Sequence, residues 1–123
     1  QVVYGEGIAR YVESLSGQGS DAAWAGTGEL EALPVTAVVL GFTHHWSRPL
    51  RSGVSWSLAD LDNAEDQGAS AIKSSQDFRV NLIYTPYALF DVASEVLWGR
   101  RENKDGSSGE AWRGQIALVF RFN

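Results

Sequence analysis

Arginines placed at alternate positions along strand-like runs are the residues of this chain best fitted to do chemistry. In Phe78–Thr85, Arg79, Asn81, Ile83 and Thr85 alternate with Phe78, Val80, Leu82 and Tyr84. The chain ends on AWRGQIALVFRFN, where Arg113, Gln115, Ala117, Val119 and Arg121 alternate with Trp112, Gly114, Ile116, Leu118, Phe120 and Phe122. A guanidinium stays charged near neutral pH and offers a planar fork of donors that matches a carboxylate. Successive strand residues point to opposite faces, so each run is predicted to turn its arginines one way and its apolar residues the other. Arg79, Arg113 and Arg121 are therefore the candidates for attracting carboxylates, with Asn81 and Gln115 as hydrogen-bond donors beside them. Arg101 and Arg51 are further candidates at segment ends, where the register is open. The competing reading is that these arginines pair with Glu95, Asp77 or other acids and brace the wall.

The elements that must carry these residues are strands. Turn-forming residues cut the chain into six apolar segments: Val2–Leu15, Pro34–Trp46, Arg51–Asp62, Phe78–Pro86, Asp91–Glu102 and the terminal run. Val54, Trp56 and Leu58 oppose Gly53, Ser55, Ser57 and Ala59, while Val38, Leu40, Phe42 and Trp46 share a face against Thr43 and His45. Period two sustained this long predicts strands. They exceed the five or six residues usual in soluble domains and reach the roughly 9–11 needed to cross a bilayer at a tilt. The first segment fits least well, with Gly5, Gly7 and Ala9 forming a small-residue face. The links after segments one, three and five read as long and polar, those after two and four as short. Long loops on one side and tight turns on the other describe an up-and-down membrane barrel.

Composition sets the outer bounds. The 123 residues suffice for a single domain; 44% are hydrophobic and 20% charged, so disorder is excluded on composition. The 13 Gly and 5 Trp favour β structure over a helix bundle. With no cysteine, neither disulfides nor thiolate metal sites are available. The net charge of −5 argues against a nucleic-acid partner. Many acids lie in or beside the links, so net charge says little about the field near any one face. Eight of the ten basic residues are Arg, a bias toward fixed recognition of anions. Gln1 is not a translation start, so the chain is expected to be processed or the tail of something longer. No run is long and apolar enough for a membrane helix, which leaves a barrel open.

Other chemistries find little support. His44 and His45 are adjacent and point to opposite faces, so they do not share a metal readily; they read as an interfacial pair beside Trp46. DLDNAED (Asp60–Asp66) resembles the start of a calcium loop but lacks its glycine and distal Glu. Weak calcium binding or contact with lipopolysaccharide through divalent ions is the remaining reading there, against a plain solvated loop. No nucleophile elbow occurs, and GEGIAR lacks the strand-to-helix context of a dinucleotide site. Neither catalysis nor a cofactor is expected.

The stretches YGEGIARYV, THHWSRPLRSGVSWSLADLDN, RVNLIYTP and EVLWGRRENKDGSSGEAWRGQIALVFRF, in this order, resemble the C-terminal part of the DcaP-like porins. The resemblance spans most of the chain apart from Ser16–Leu33 and Ala64–Gln76, and WGRRENKDGSSG is its most specific stretch. It implies an all-β, antiparallel up-and-down transmembrane barrel, of which residues 1–123 would form about six strands as one incomplete C-terminal portion. It further implies a passive channel for small carboxylates including dicarboxylates, a homotrimer, and the outer membrane of Gram-negative bacteria with its lipid and lipopolysaccharide as surroundings. Trp46, Trp56, Trp98, Trp112, Tyr84, Phe120 and Phe122 would then form aromatic girdles. Such barrels usually end on an aromatic residue, whereas here Asn123 follows Phe122. Two alternatives stay open: a secreted or periplasmic β-sandwich binding carbohydrate or protein, and a small structural barrel without transport.

Overall fold

A computed structural model describes residues 1–24 and 28–122. Asn123 and residues 25–27 of the first predicted link lie outside the described residues. The strands are β1 (Val2–Glu6), β2 (Ala22–Trp24), β3 (Leu30–Ala32), β4 (Pro34–His45), β5 (Leu50–Leu61), β6 (Ile72–Tyr87), β7 (Phe90–Asn103) and β8 (Ser108–Phe120). Six of them form one antiparallel sheet in the order β1-β4-β5-β6-β7-β8, and β2 pairs with β3 in a separate hairpin. From β4 onward each strand pairs with the next in sequence, which is an up-and-down meander. The sheet is open, with β1 and β8 as its edges. The last five strands run 12 to 16 residues, beyond the roughly 9–11 that span a bilayer at a tilt.

The register sorts side chains as the alternation requires. Trp56 lies opposite Phe78, Phe78 opposite Trp98, and Trp98 opposite Trp112, so four strands contribute one continuous aromatic row. Toward the tight turns the same face continues through Val54, Val80 and Val96, then Leu82 and Ile116, to Tyr84, Leu118 and Phe120. Between Trp112 and Phe120 the strand runs about 26 Å, close to the ~25 Å apolar band of an outer-membrane barrel. These large side chains are exposed: Phe42 is 67% and Ile116 77% accessible. Among the described residues no second sheet covers them, as a sandwich would require. So extensive an apolar face is foreign to a soluble monomer.

Several boundaries differ from the sequence reading, each for a physical reason. β6 begins at Ile72, not Phe78, and β8 at Ser108, not Ala111. Beyond the aromatic row the outward positions are Ser74, Gln76, Arg100 and Glu110. Both faces of the sheet are polar there, so hydrophobic alternation is absent although the ladder continues. The third link consequently shrinks to the four residues Lys104–Ser107. In that turn the Ser107 hydroxyl and amide both donate to Asp105 Oδ1, the amide at 2.9 Å. The hydroxyl's hydrogen bond above all, and then the amide's, hold the Asp105 carboxyl below its ordinary range. The long-loop, short-loop asymmetry holds for the connections after β1 and β5 but not here: Lys104–Ser107 is no longer than Trp46–Pro49, which with Ala88–Leu89 forms the turns at the other end.

The first segment is a strand only over Val2–Glu6. Gly7 takes φ +66, the left-handed region where glycine carries no Cβ penalty, and turns the chain off the sheet. A 3-10 turn over Ala9–Tyr11 follows. Ala9, Val12 and Leu15 then pack against Leu33, Val35, Ala37, Ala59, Leu61 and Ile72 to form the buried core. Val35, Ala37, Ala59 and Leu61 occupy the face opposite the aromatic row, so the connection from β1 to β4 folds over the inward face of the sheet. Burial of each of the larger groups, Val12 and Leu15 on the connection, contributes roughly 1.5–3 kcal/mol, enough to hold a short segment of chain in place. Arg10 closes its base by donating from backbone N and Nε to the two oxygens of Asp21 at 2.9 and 2.8 Å. The link read as polar also contains the β2–β3 hairpin.

Candidate functional site

All seven arginines and amides singled out from the sequence stand on the inward face. Arg79 and Arg113 share one cross-strand row, each opposite Leu97 of β7. Two strand spacings separate them, about 10 Å. The next row toward the tight turns holds Gly53, Asn81, Glu95 and Gln115. Arg51 lies further along, opposite Ile83, and Arg101 lies toward the long loops, opposite Ser75. Arg121 follows the end of β8 near Asp91. The face therefore carries arginines along its whole length, with Arg79 and Arg113 at mid-height.

Their partners differ. Arg79 Nε donates to Asp77 Oδ1 at 2.9 Å, and Ser57 Oγ donates to the other oxygen of Asp77. The second arm of Arg79 reaches Glu13 Oε1 at 2.8 Å. Arg121 donates to Asp91, which also accepts from Thr85 Oγ1 at 2.7 Å. Arg101 donates to Asn103 Oδ1 at 2.8 Å and to the Ser70 carbonyl at 3.0 Å. Arg113 is held loosely: its side chain is 62% exposed and lies 4.0 Å from Glu95 Oε1, which accepts from Gln115 Nε2 at 2.9 Å. Arg51 makes no ion pair among the described residues. Bracing is thus the arrangement at Arg79 and Arg121, while Arg113 keeps its donors open to water.

Two features escaped the sequence reading. Glu13 reaches the site from the inward-folded connection, far from Arg79 in sequence. The spacing of Ala9, Val12 and Leu15, one apolar residue every three, was the signal that this stretch leaves the strand pattern. The second is a cavity of about 680 Å³ between that connection and β6–β8, lined by Ser14, Gln18, Asp77, Arg79, Arg101 and Arg113 among others. It is wide enough for a small organic acid, and Arg79, Arg100, Arg101 and Arg113 are its lining arginines.

At the edges, His44 lies opposite Ser52 and His45 opposite Arg51, which puts the two imidazoles on different faces. His44 joins the outward aromatics, with its ring 4.4 Å from Trp46 in an edge-on arrangement. The acidic loop after β5 is organised by a cation of the chain itself: Lys104 Nζ donates to the carbonyls of Ala64 at 2.7 Å, Gln67 at 3.0 Å and Glu65.

A sheet apolar and aromatic outward, polar and arginine-lined inward, with one connection folded against its inner side, is the geometry of a pore wall. Among solved structures, the crystal structure of the outer membrane channel DcaP of Acinetobacter baumannii matches it with a TM-score of 0.76. The sheet has the fold of a DcaP-like barrel wall. Sequence identity over the match is 28%, and it covers 84% of this chain. The chain spans about 30% of the length of the DcaP chain. No protein-family model matches, and no curated protein matches. The DcaP-like likeness agrees with the open edges at β1 and β8, where a closed barrel continues to further strands.

Proposed function

We propose that this chain forms part of the wall of an outer-membrane pore through which small anionic solutes, carboxylates and dicarboxylates among them, diffuse passively. The observation that carries this reading is the division of one sheet into a predominantly aromatic and aliphatic face and a face set with Arg51, Arg79, Arg101, Arg113 and Arg121. Guanidinium groups along a water-filled lumen lower the electrostatic barrier for anions, as charged rings do in other pores. Asn81 and Gln115 offer amide donors to a solute that has shed part of its hydration. The outward face meets lipid, the aromatic row marks the boundary toward the long loops, and those loops face lipopolysaccharide and the exterior. Closure with strands outside this chain and assembly as a homotrimer belong to the same reading and rest on the resemblance to DcaP-like porins. Diffusion down a gradient asks for no bond-making residue and no cofactor.

Reconstitution of the full-length protein in planar bilayers tests it. A reversal potential showing anion over cation preference is expected. Arg113→Ala is expected to weaken that preference, and a cation-selective or non-conducting wild type would overturn the proposal.

A further inference from the structure

Among the described residues, Arg79 is the one predicted lumen arginine held from two sides by acids of very different freedom. Asp77 is nearly buried, with 13% of its side chain accessible, and fixes the Nε edge. Ser57 steadies Asp77 in turn. Glu13 is 78% accessible and meets the other arm of Arg79 from the inward-folded connection. Its backbone is nonetheless held, because Val12 and Leu15 on either side are buried in the core. The carboxylate can therefore leave Arg79 by rotating its own side chain, with the connection still packed.

We propose that Glu13 is an internal competitor for solute carboxylates at Arg79 and so sets the affinity of this position. The proposal rests on the pore reading above and names the residue that tunes it. One guanidinium faces two carboxylates here, so an approaching anion is opposed by Glu13 until it takes Glu13's place. Exchange of one carboxylate for another keeps Arg79 paired throughout, which avoids the cost of an unpaired charge. The exposed partner is the one given up, since such pairs contribute little. Arg113 meets Glu95 of its neighbouring strand and, among the described residues, no acid from the connection, so it lacks this competitor. Serine and glutamine side chains at positions 14 and 18 border the same cavity and give a displaced solute polar surroundings.

The test uses the full-length channel in planar bilayers with succinate as the probe, reading the concentration that half-saturates its effect on chloride current. Glu13→Gln keeps the shape and removes the charge. It is expected to lower that concentration by about fivefold, the equivalent of an exposed ion pair near the top of its usual range. Glu31→Gln, an exposed acid on β3, is expected to leave it unchanged. In an Arg79→Ala background Glu13→Gln is expected to do nothing further. An anion-selective wild type whose succinate response ignores Glu13→Gln overturns the role of Glu13 and leaves the pore reading standing. An equal effect of Glu13→Gln with and without Arg79 overturns competition at that arginine. A wild type without anion preference overturns the pore reading itself.

Discussion

The outward and inward faces of this sheet come from the same strands, residue by residue, and yet they are built on different physics. Outward, Trp56, Phe78, Trp98 and Trp112 and the aliphatic rows beyond them make few directional bonds and ask only for an apolar medium. Inward, charged and polar side chains stand among small and aliphatic ones and are held by specific partners: Asp77 with Ser57 and Arg79, Asp91 with Thr85 and Arg121, Glu95 with Gln115. The outward face should tolerate any apolar replacement and reject charge. The inward face should accept charge in general and respond to which charge stands where. Under the proposed pore reading, the two faces separate residence in a membrane from selection of what passes.

Placing one charge on each face tests this contrast most severely. Val80→Arg, at the centre of the outward face, is expected to cost about 2–4 kcal/mol in lipid. Ala117→Arg on the inward face is expected to cost far less. Urea unfolding in lipid vesicles compares them, and equal losses would break the assignment of faces. Within the inward face, Asp91 is only 5% exposed, so Asp91→Ala strands the partners Thr85 and Arg121. A loss of about 1–3 kcal/mol in the same assay is expected, partly restored by Asp91→Asn. A neutral result would mean that directional bonds contribute little even there.

Smaller effects sharpen the same comparison. Arg113→Ala is expected to reduce the anion-to-cation permeability ratio about twofold, the scale of a solvent-exposed charge interaction. Its effect on unfolding should be slight, because its pairing with Glu95 is loose. At Gly53 an added Cβ would lie 3.0 Å from Oδ1 of Asn81, so Gly53→Ala must push that amide aside. Stability should move by no more than about 1 kcal/mol, and the altered side-chain amide resonance of Asn81 is the readout. Last comes the β7–β8 turn. A carboxyl depressed in the folded protein stabilises above its ordinary range, and that contribution fades as pH falls through its folded value. The protection of the Ser107 amide from hydrogen exchange, relative to its intrinsic rate at each pH, should fall at acid pH, and Asp105→Asn should remove most of that change in protection.

How much of this was legible in the residues depends on the distance over which each feature is decided. The face on which Arg79, Arg113 and Arg121 stand followed from alternation within a few residues of each. The start of β6 did not, because KSSQ (Lys73–Gln76) is polar on both faces and hides its period. The β2–β3 hairpin was concealed in a stretch rich in Gly and Ser. Glu13 carries no such signal, because nothing near it in the chain announces Arg79 as its partner.

The sequence by itself determined which side chains share a face and that the strands are long, since the period of an extended backbone is a local property. It also determined that one face is apolar and the other rich in arginine. Only the tertiary structure decided that Trp56, Phe78, Trp98 and Trp112 fall in one row, that Arg79 and Arg113 stand level, and that the β1–β4 connection lies over the inward face. Those outcomes depend on strand register and on burial of Ala9, Val12 and Leu15 against distant residues, and pairing across such separations is settled by packing of the whole sheet.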